Sequence, residues 1–384
     1  MDNLVPQTGA GESLSIALIG TRGVPAHYGG FETAVEEVGK RLARRGHRVV
    51  VYCRREKDVN DAALPSRYEG MELVHLPAVR RRSLETLSHT GLAVSHLRRH
   101  PTDVAVVFNA ANAPWLPLLR AARIPVATHV DGLEWKRSKW GPTGRRYYLA
   151  AEKLAVRWSD ALIADAPGIA AYYLEKFGVI SEQISYGAPR ITRHGERLAE
   201  VGLSERGFHL CVARFEPENH VDLIVDGYSR SSASLPLVVV GSAPYADEYT
   251  KRVHQRADER VKFLGGVWDQ ELLDDLYAGA QSYLHGHSVG GTNPSLLRAM
   301  GAGAAVDAFD VVFNHDVLGS AGRFFTDASD VATLVEHAEA DPDAARRRGE
   351  QARARAGEYD WDDVTDRYEG LCHSLKASTQ QRVR

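Results

Sequence analysis

The feature that most constrains this chain is a rhythm. Short, almost unbroken apolar runs are separated by longer stretches with helical spacing. LSIALIG (14–20), RVVVYC (48–53), MELVHL (71–76), DVAVVF (103–108), PVATHV (125–130) and DALIAD (160–165) form a first series. Runs without polar alternation are buried on both faces, which requires a parallel sheet covered by helices. Between the runs, Phe31, Val35, Val38 and Leu42 fall on one helical face, and Gly46 ends that segment. A second series follows: FHLCVAR (208–214), LPLVVVG (235–241), RVKFLG (260–265), QSYLHG (281–286), AAVDAF (304–309) and GRFFT (322–326). The expected fold is α/β, with two Rossmann-like domains whose parallel sheets face each other across a cleft. The expected boundaries are 14–192, 193–358 and a helical C-terminal segment at 359–384 that packs back on the first domain. The join lies near 187–205, where GAPRITRHGE is polar and broken by Gly and Pro.

Composition narrows the classes. Cys53, Cys211 and Cys372 are too few and too scattered for a disulfide framework or a zinc signature, and they fit a reducing compartment. No apolar run approaches the ~18 residues of a membrane span. MDNLVPQTGAGES (1–13) lacks the basic start and apolar core of a secretory signal. A cytoplasmic protein is expected. Charge is divided. The first 192 residues carry 26 Lys and Arg against 19 Asp and Glu, and the remainder 21 against 31. A basic half beside an acidic half points to different partners for each.

Four segments carry chemistry. GTRGVPAHYGGFET (20–33) follows the first run but is neither a dinucleotide fingerprint nor a P-loop. Gly29 and Gly30 let the backbone approach a ligand where a helix starts. The loop also presents Arg22, His27 and Tyr28; a tight turn with solvated polar residues explains it equally well. HVDGLEWKRSKW (129–140) places His129, Asp131, Glu134, Trp135 and Lys136 at a strand's carboxyl end, where sites form in such sheets. ARFEPENH (213–220) offers Arg214, whose fork suits a diphosphate, although a surface pair with Glu216 or Glu218 accounts for it too. HGHSVGGTNPSLLRAM (285–300) sets Gly290, Gly291 and Thr292 before a helix opened by Pro294 and capped by Thr292 or Asn293. That is a ready anion site.

Taken in order, these four segments resemble the retaining GT-B glycosyltransferases of family four, and more narrowly the bacterial rhamnosyltransferase-type branch. The resemblance runs from about residue 14 to 370. It implies a nucleotide-sugar donor mainly on the C-terminal domain, an acceptor mainly on the N-terminal one, anomeric retention, and no metal or other cofactor. The donor would be held by Gly29, Gly30, Arg214, Asn219, Gly290, Gly291, Thr292, Asn293 and Arg298. His129 and Asp131 would lie at the reacting centre. Arg22, His27, Tyr28, Glu134, Trp135 and Lys136 would lie on the acceptor side. The acceptor would be a glycan or lipid-linked oligosaccharide.

Two positions depart from the broader family. Its diphosphate pair is Arg then Lys, five residues apart, and here the second position is Asn219. Its last motif ends on a ribose-binding glutamate, and here that position is Arg298. Arginine has no acceptor, so a deoxyribose donor such as dTDP-rhamnose is expected, with Arg298 near the phosphates or in a local ion pair. A catalytically inactive binding protein on the same fold, or a sugar-nucleotide epimerase, is the alternative.

Asp360-Trp361-Asp362 matches a metal motif but opens a helix, where carboxylates suit the dipole. Arg41, Arg44, Arg45 and Arg48 gather at and beyond the end of the first helix. They suggest either dipole compensation or attraction to an anionic membrane surface. With a pI near 6.6 and no recognisable motif, nucleic acid is not an expected partner.

Overall fold

The computed structural model describes residues 12–383 except 27–28, 56–63, 80–83, 131, 138–139, 193–194 and 242–246. The N-terminal sheet contains β1 (Ser15–Ile19), β2 (Arg48–Arg54), β3 (Arg67–Tyr68), β4 (Met71–Leu76), β5 (Val104–Phe108), β6 (Val126–Val130), β7 (Ala161–Ala164) and β8 (Glu182–Gln183). Their spatial order is β3-β4-β2-β1-β5-β6-β7-β8, parallel except for β3 against β4. The C-terminal sheet contains β9 (His209–Val212), β10 (Leu237–Val240), β11 (Val261–Gly265), β12 (Ser282–His285), β13 (Val306–Phe309) and β14 (Arg323–Phe325), in the order β11-β10-β9-β12-β13-β14 and parallel throughout. Every apolar run of the sequence is a strand. β3 and β8 are additional; two residues each, they carry no apolar run to announce them.

The central strands β1, β5, β6 and β12 are buried at every position but one, Ser15, as strands covered on both faces must be. Helix Gly30–Arg44 lays Val35, Val38 and Leu42 on the first sheet. The strand order reverses between β1 and β5 in one sheet and between β9 and β12 in the other. Such switch points open a crevice at the carboxyl ends of the strands. The loops after β1, β9 and β12 all leave from those two points. They are the glycine loop, the arginine loop and the Gly-rich capping loop of the sequence.

After the second sheet the chain returns. Helix Trp361–Val383 packs along helix Gly30–Arg44 of the first domain. Trp361 seats against Gly187, and Ala188 donates its N–H to the Tyr359 carbonyl at 2.7 Å. Asp360 pairs with Arg190 at 3.0 Å and Asp362 with Arg41 at 2.9 Å. The Asp-Trp-Asp motif therefore works as a helix anchor.

The same return gives the arginine patch carboxylate partners. Arg41 also meets Glu37, Arg44 meets Glu69, Arg45 meets Asp366 and Glu369, and Arg48 meets Glu72, all within 2.9 Å. Each guanidinium has a carboxylate partner, and Arg44 and Arg48 stay at least half exposed. No helix among the described residues is long and apolar enough to cross a membrane.

Candidate active site

The two domains touch through the loops at their switch points. Gly132, just past β6, lies so close to the capping loop that a Cβ on it would sit 2.5 Å from the Cα of Gly290. Gly291 rests on the Asp165 carboxylate at the end of β7, where a Cβ would meet Oδ1 at 2.4 Å. Thr292 Oγ1 donates to the Asp165 carbonyl at 2.7 Å. Asn293 is the N-cap, accepting from the Ser295 N–H at 2.9 Å, with Pro294 opening helix Pro294–Ala302. Four consecutive residues of the capping loop thus serve either the domain contact or the helix start. The helix N-terminus, with its partial positive charge, is held at the cleft. A small cavity of about 100 Å³ lies alongside, lined by Asp165, Thr292 and Tyr359.

His129 ends β6 and is buried, 1% exposed, among Phe31, Phe108, Tyr186 and Tyr368. Burial pushes its pKa down to about 3, so the imidazole is neutral at ordinary pH. Its Nδ1 is 2.9 Å from the Tyr368 hydroxyl, carried in by the returning C-terminal helix. Burial also raises the Tyr368 pKa, so that phenol keeps its proton. A buried O–H without an acceptor is costly. Tyr368 therefore donates to Nδ1 and fixes the hydrogen of His129 on Nε2. Nε2 is buried and has no hydrogen-bond partner among the described residues. A neutral donor of this kind orients a hydroxyl or steadies a developing charge. As a base it is too weak to drive proton removal.

Glu32, at the start of helix Gly30–Arg44, accepts from the Arg22 N–H at 3.1 Å, and a Cβ on Gly29 would meet its Oε2 at 2.8 Å. Burial, the largest influence, raises its pKa despite the nearby Arg22 and Arg54. Gly30 faces Tyr186 and Pro294, where a Cβ would stand 3.0 and 3.2 Å away, so the glycine loop reaches the start of the opposing helix.

The expected site residues divide. The structure brings Gly29, Gly30, Gly290, Gly291, Thr292 and Asn293 to the cleft, while His129 is buried behind the glycine loop against Phe31 and Tyr186. Arg214 is half exposed there, its Nη2 3.5 Å from Glu216. Asn219 is buried. It donates to the Arg214 carbonyl and lies 2.8 Å from His287 Nδ1, so it shapes the loop and supplies no charge.

Of the two places expected for Arg298, near the phosphates or in a local ion pair, the structure shows the second. Its guanidinium pairs with Asp274 at 2.5 Å, contacts Gln270, and lies over the Tyr277 ring, all on the neighbouring helix Gln270–Gly279. It sits in a local ion pair away from the capping loop. Glu134 corrects the acceptor list. It is buried, bound to Arg137 Nε at 2.6 Å and to Trp140 Nε1 at 3.4 Å, and so braces its own loop. Trp135 carries the ammonium groups of Lys136 and Lys176 within 6 Å of its ring. Arg22 is exposed. Asp131, His27 and Tyr28 lie outside the described residues.

Sequence reasoning missed Asp165, Tyr186, Tyr368 and His287. Asp165 stood at the end of a predicted strand and could have been found by position. Tyr368 is more than two hundred residues from His129, and no local pattern signals it.

A two-domain α/β fold with paired switch points and a helix N-terminus in the cleft is the GT-B architecture. Residues 29–186 match the profile of the glycosyl transferase 4-like domain, and residues 207–340 match that of glycosyl transferases group 1. The two matches span both domains, and the chain belongs to the group 1, family-four-like glycosyltransferases. No curated protein matches it in sequence. Among solved structures, sucrose-phosphate synthase from Thermosynechococcus elongatus is similar at 21% identity and a TM-score of 0.81, covering 95% of this chain and 99% of its own. Anabaena HepE in complex with UDP is similar at 16% identity and a TM-score of 0.73, covering 94% and 100%. The α,α-trehalose-phosphate synthase (UDP-forming) of Burkholderia vietnamiensis is similar at 13% and 0.69, covering 94% and 100%.

Proposed function

We propose that this glycosyltransferase moves a sugar from a nucleoside diphosphate donor on its C-terminal domain to an acceptor hydroxyl on its N-terminal side, with retention of anomeric configuration. The observation that carries this reading is the meeting of three elements at the cleft. They are the Arg214 loop, the capped N-terminus of helix Pro294–Ala302, and the glycine loop, which reaches Pro294 at Gly30.

The leaving diphosphate needs charge stabilisation more than covalent help. Arg214 and the helix N-terminus supply it without a divalent ion. Retention requires the acceptor hydroxyl to approach from the leaving-group face. A departing phosphate oxygen then takes the acceptor proton, which leaves His129 to orient the sugar. Asp131, two residues further along the chain, is assigned the same positioning role.

The donor is a dTDP-sugar, and dTDP-L-rhamnose best fits the branch that the sequence resembles. Arg298 supports the deoxynucleotide. By resemblance it takes the sequence position of a ribose-binding carboxylate, and its side chain is held on Asp274. The acceptor is a glycan or lipid-linked oligosaccharide of surface polysaccharide synthesis. UDP-sugars are the second reading, favoured by the UDP and UDP-glucose bound in the similar HepE structures.

The test is nucleoside diphosphate release from dTDP-rhamnose and UDP-glucose, with and without a lipid-linked glycan extract. Acceptor-dependent release that is unaffected by EDTA, with an NMR-assigned retained anomer, is the expected result. Donor conversion without acceptor would indicate an epimerase. Release abolished by EDTA would refute the metal-free reaction.

A further inference from the structure

Helix Glu85–Leu97 lays Ala93, Val94 and Leu97 in the core of the first domain. Its other face meets solvent without charge. Leu84 and Leu92 are 42% and 43% exposed, with Ser88 and Ser95 beside them. At 3.6 residues per turn these four positions span about 80° of one face. Val79 joins them. It is 50% exposed and donates its N–H to Ser88 Oγ at 2.8 Å. The helix holds one carboxylate, Glu85, and neither Lys nor Arg, whereas helix Gly30–Arg44 holds six charged residues. Glu85 itself is turned to Arg54 at 3.5 Å. A surface helix normally backs its apolar stripe with a charged face, and this one does not.

Cations stand at its end. Arg98 and Arg99 follow the last turn, both are exposed, and neither has a carboxylate partner among the described residues. Arg41, Arg44, Arg45 and Arg48 each have one. The helix dipole favours cations at a C-terminus but gives no reason for bare leucines. In the sequence Arg80, Arg81 and Arg82 separate Val79 from Leu84; these three lie outside the described residues. The first turn is tied to the cleft. Arg54 Nη2 donates to Thr86 Oγ1 at 2.7 Å, and the Arg54 N–H donates to the Arg22 carbonyl of the glycine loop at 2.8 Å.

We propose that the face formed by Val79, Leu84, Leu92, Arg98 and Arg99 is a docking surface for an anionic lipid bilayer. The apolar side chains enter the boundary between headgroups and acyl chains, and the guanidiniums stay with the lipid phosphates. Three part-exposed apolar side chains fall well short of the ~800 Å² per partner that a standard protein interface buries. A bilayer needs less apolar area, because the attraction of its surface for cations adds to it. The surface stands apart from the donor reading. Only its use, which is to bring a lipid-linked acceptor to the glycine loop, rests on the function proposed above.

The test is co-sedimentation of the full chain with phosphatidylcholine vesicles and with vesicles that also contain phosphatidylglycerol, at low and high salt, beside light scattering without lipid. Wild type is expected to bind the anionic vesicles and not the neutral ones, and to release them in high salt. Leu84→Ser with Leu92→Ser should weaken binding at least tenfold. Arg98→Gln with Arg99→Gln should weaken it about thirtyfold, about fivefold for each charge. Leu174→Ser, at a leucine 53% exposed on helix Pro167–Phe177, should change nothing. Melting temperature and nucleoside diphosphate binding should match wild type in every variant, which separates the surface from the fold and the donor site. No binding to anionic vesicles, binding indifferent to lipid charge, or an equal loss in Leu174→Ser would overturn the proposal. So would a dimer in light scattering that the leucine variant dissociates, since that would assign the face to a second copy. Wild type that docks on vesicles yet binds no nucleoside diphosphate would overturn the donor reading and leave the surface standing.

Discussion

Replacing Gly132 with alanine tests whether the observed domain contact is the working arrangement of the cleft. The new Cβ would stand 2.5 Å from Gly290 Cα and 2.9 Å from its carbonyl carbon. Carbon atoms settle at about 3.5–4.0 Å. Both opposing atoms are backbone, so no side chain can swing aside, and the loops must part by about 1 Å. A displacement of that size at a reacting centre costs on the order of a hundredfold in turnover. Folding should tolerate the change, because neither glycine belongs to the hydrophobic clusters that hold the two domains. Gly168→Ala is the control. It adds a methyl in open space within helix Pro167–Phe177, where alanine is favoured over glycine by about 0.5–1 kcal/mol. Steady-state turnover at saturating donor, with thermal melting alongside, reads both. The expectation is a loss of turnover in Gly132→Ala at near-native melting temperature, and an unchanged Gly168→Ala. Full turnover in Gly132→Ala would show that catalysis does not use this contact.

The remaining predictions concern protons and the returning helix. Tyr368→Phe keeps the ring but removes the donor to His129 Nδ1, which should cost about 1–3 kcal/mol and release the Nε2–H tautomer. Histidine 15N NMR should then show His129 changing tautomer, and an unchanged spectrum would refute the assignment. His89, His129 and His285 are buried with pKa values pushed to about 4, 3 and 3 by desolvation. The unfolded chain takes up protons near pH 6.5, while the folded one resists until pH 3–4. Stability is therefore complete above about pH 6.5 and falls as pH drops through that window, by about 1.4 kcal/mol per histidine per unit. Urea unfolding that gave equal stability at pH 7 and pH 5 would contradict this. Glu369→Ala removes the partner of buried His47 (2.8 Å) and of Arg45, and should lower stability by about 1–3 kcal/mol. A melting temperature within error of wild type would show that Glu369 does not hold the helix, which keeps its apolar face and its other ion pairs.

The fold was legible because burial on both faces of a parallel strand leaves an unbroken apolar run, which local sequence records. β3 and β8 were not legible, since a two-residue edge strand is defined by its neighbour and not by its own residues. The site was half legible. Loops at strand ends announce themselves by glycine, proline and charge, so Gly290–Asn293 and Arg214 could be named from sequence. What each charge faces could not be read. Arg298 looked like a cleft residue until Asp274, on another helix, took its charge. The carboxylate partners of the four arginines near helix Gly30–Arg44 come in part from the returning helix, which no local pattern announces. Arg137 was one of several cations in HVDGLEWKRSKW, and its meeting with Glu216 exists only when the two sheets face each other. Charge patterns are local in sequence, but their partners are set by the tertiary fold.

The most direct test of the account is calorimetric titration of the wild-type chain with dTDP, UDP, GDP and ADP under one set of conditions. The account predicts binding of a nucleoside diphosphate, with dTDP ahead of UDP because no carboxylate stands at position 298 to receive a ribose hydroxyl. UDP ahead of dTDP would contradict the deoxynucleotide donor, and heat from none of the four would contradict the donor site itself.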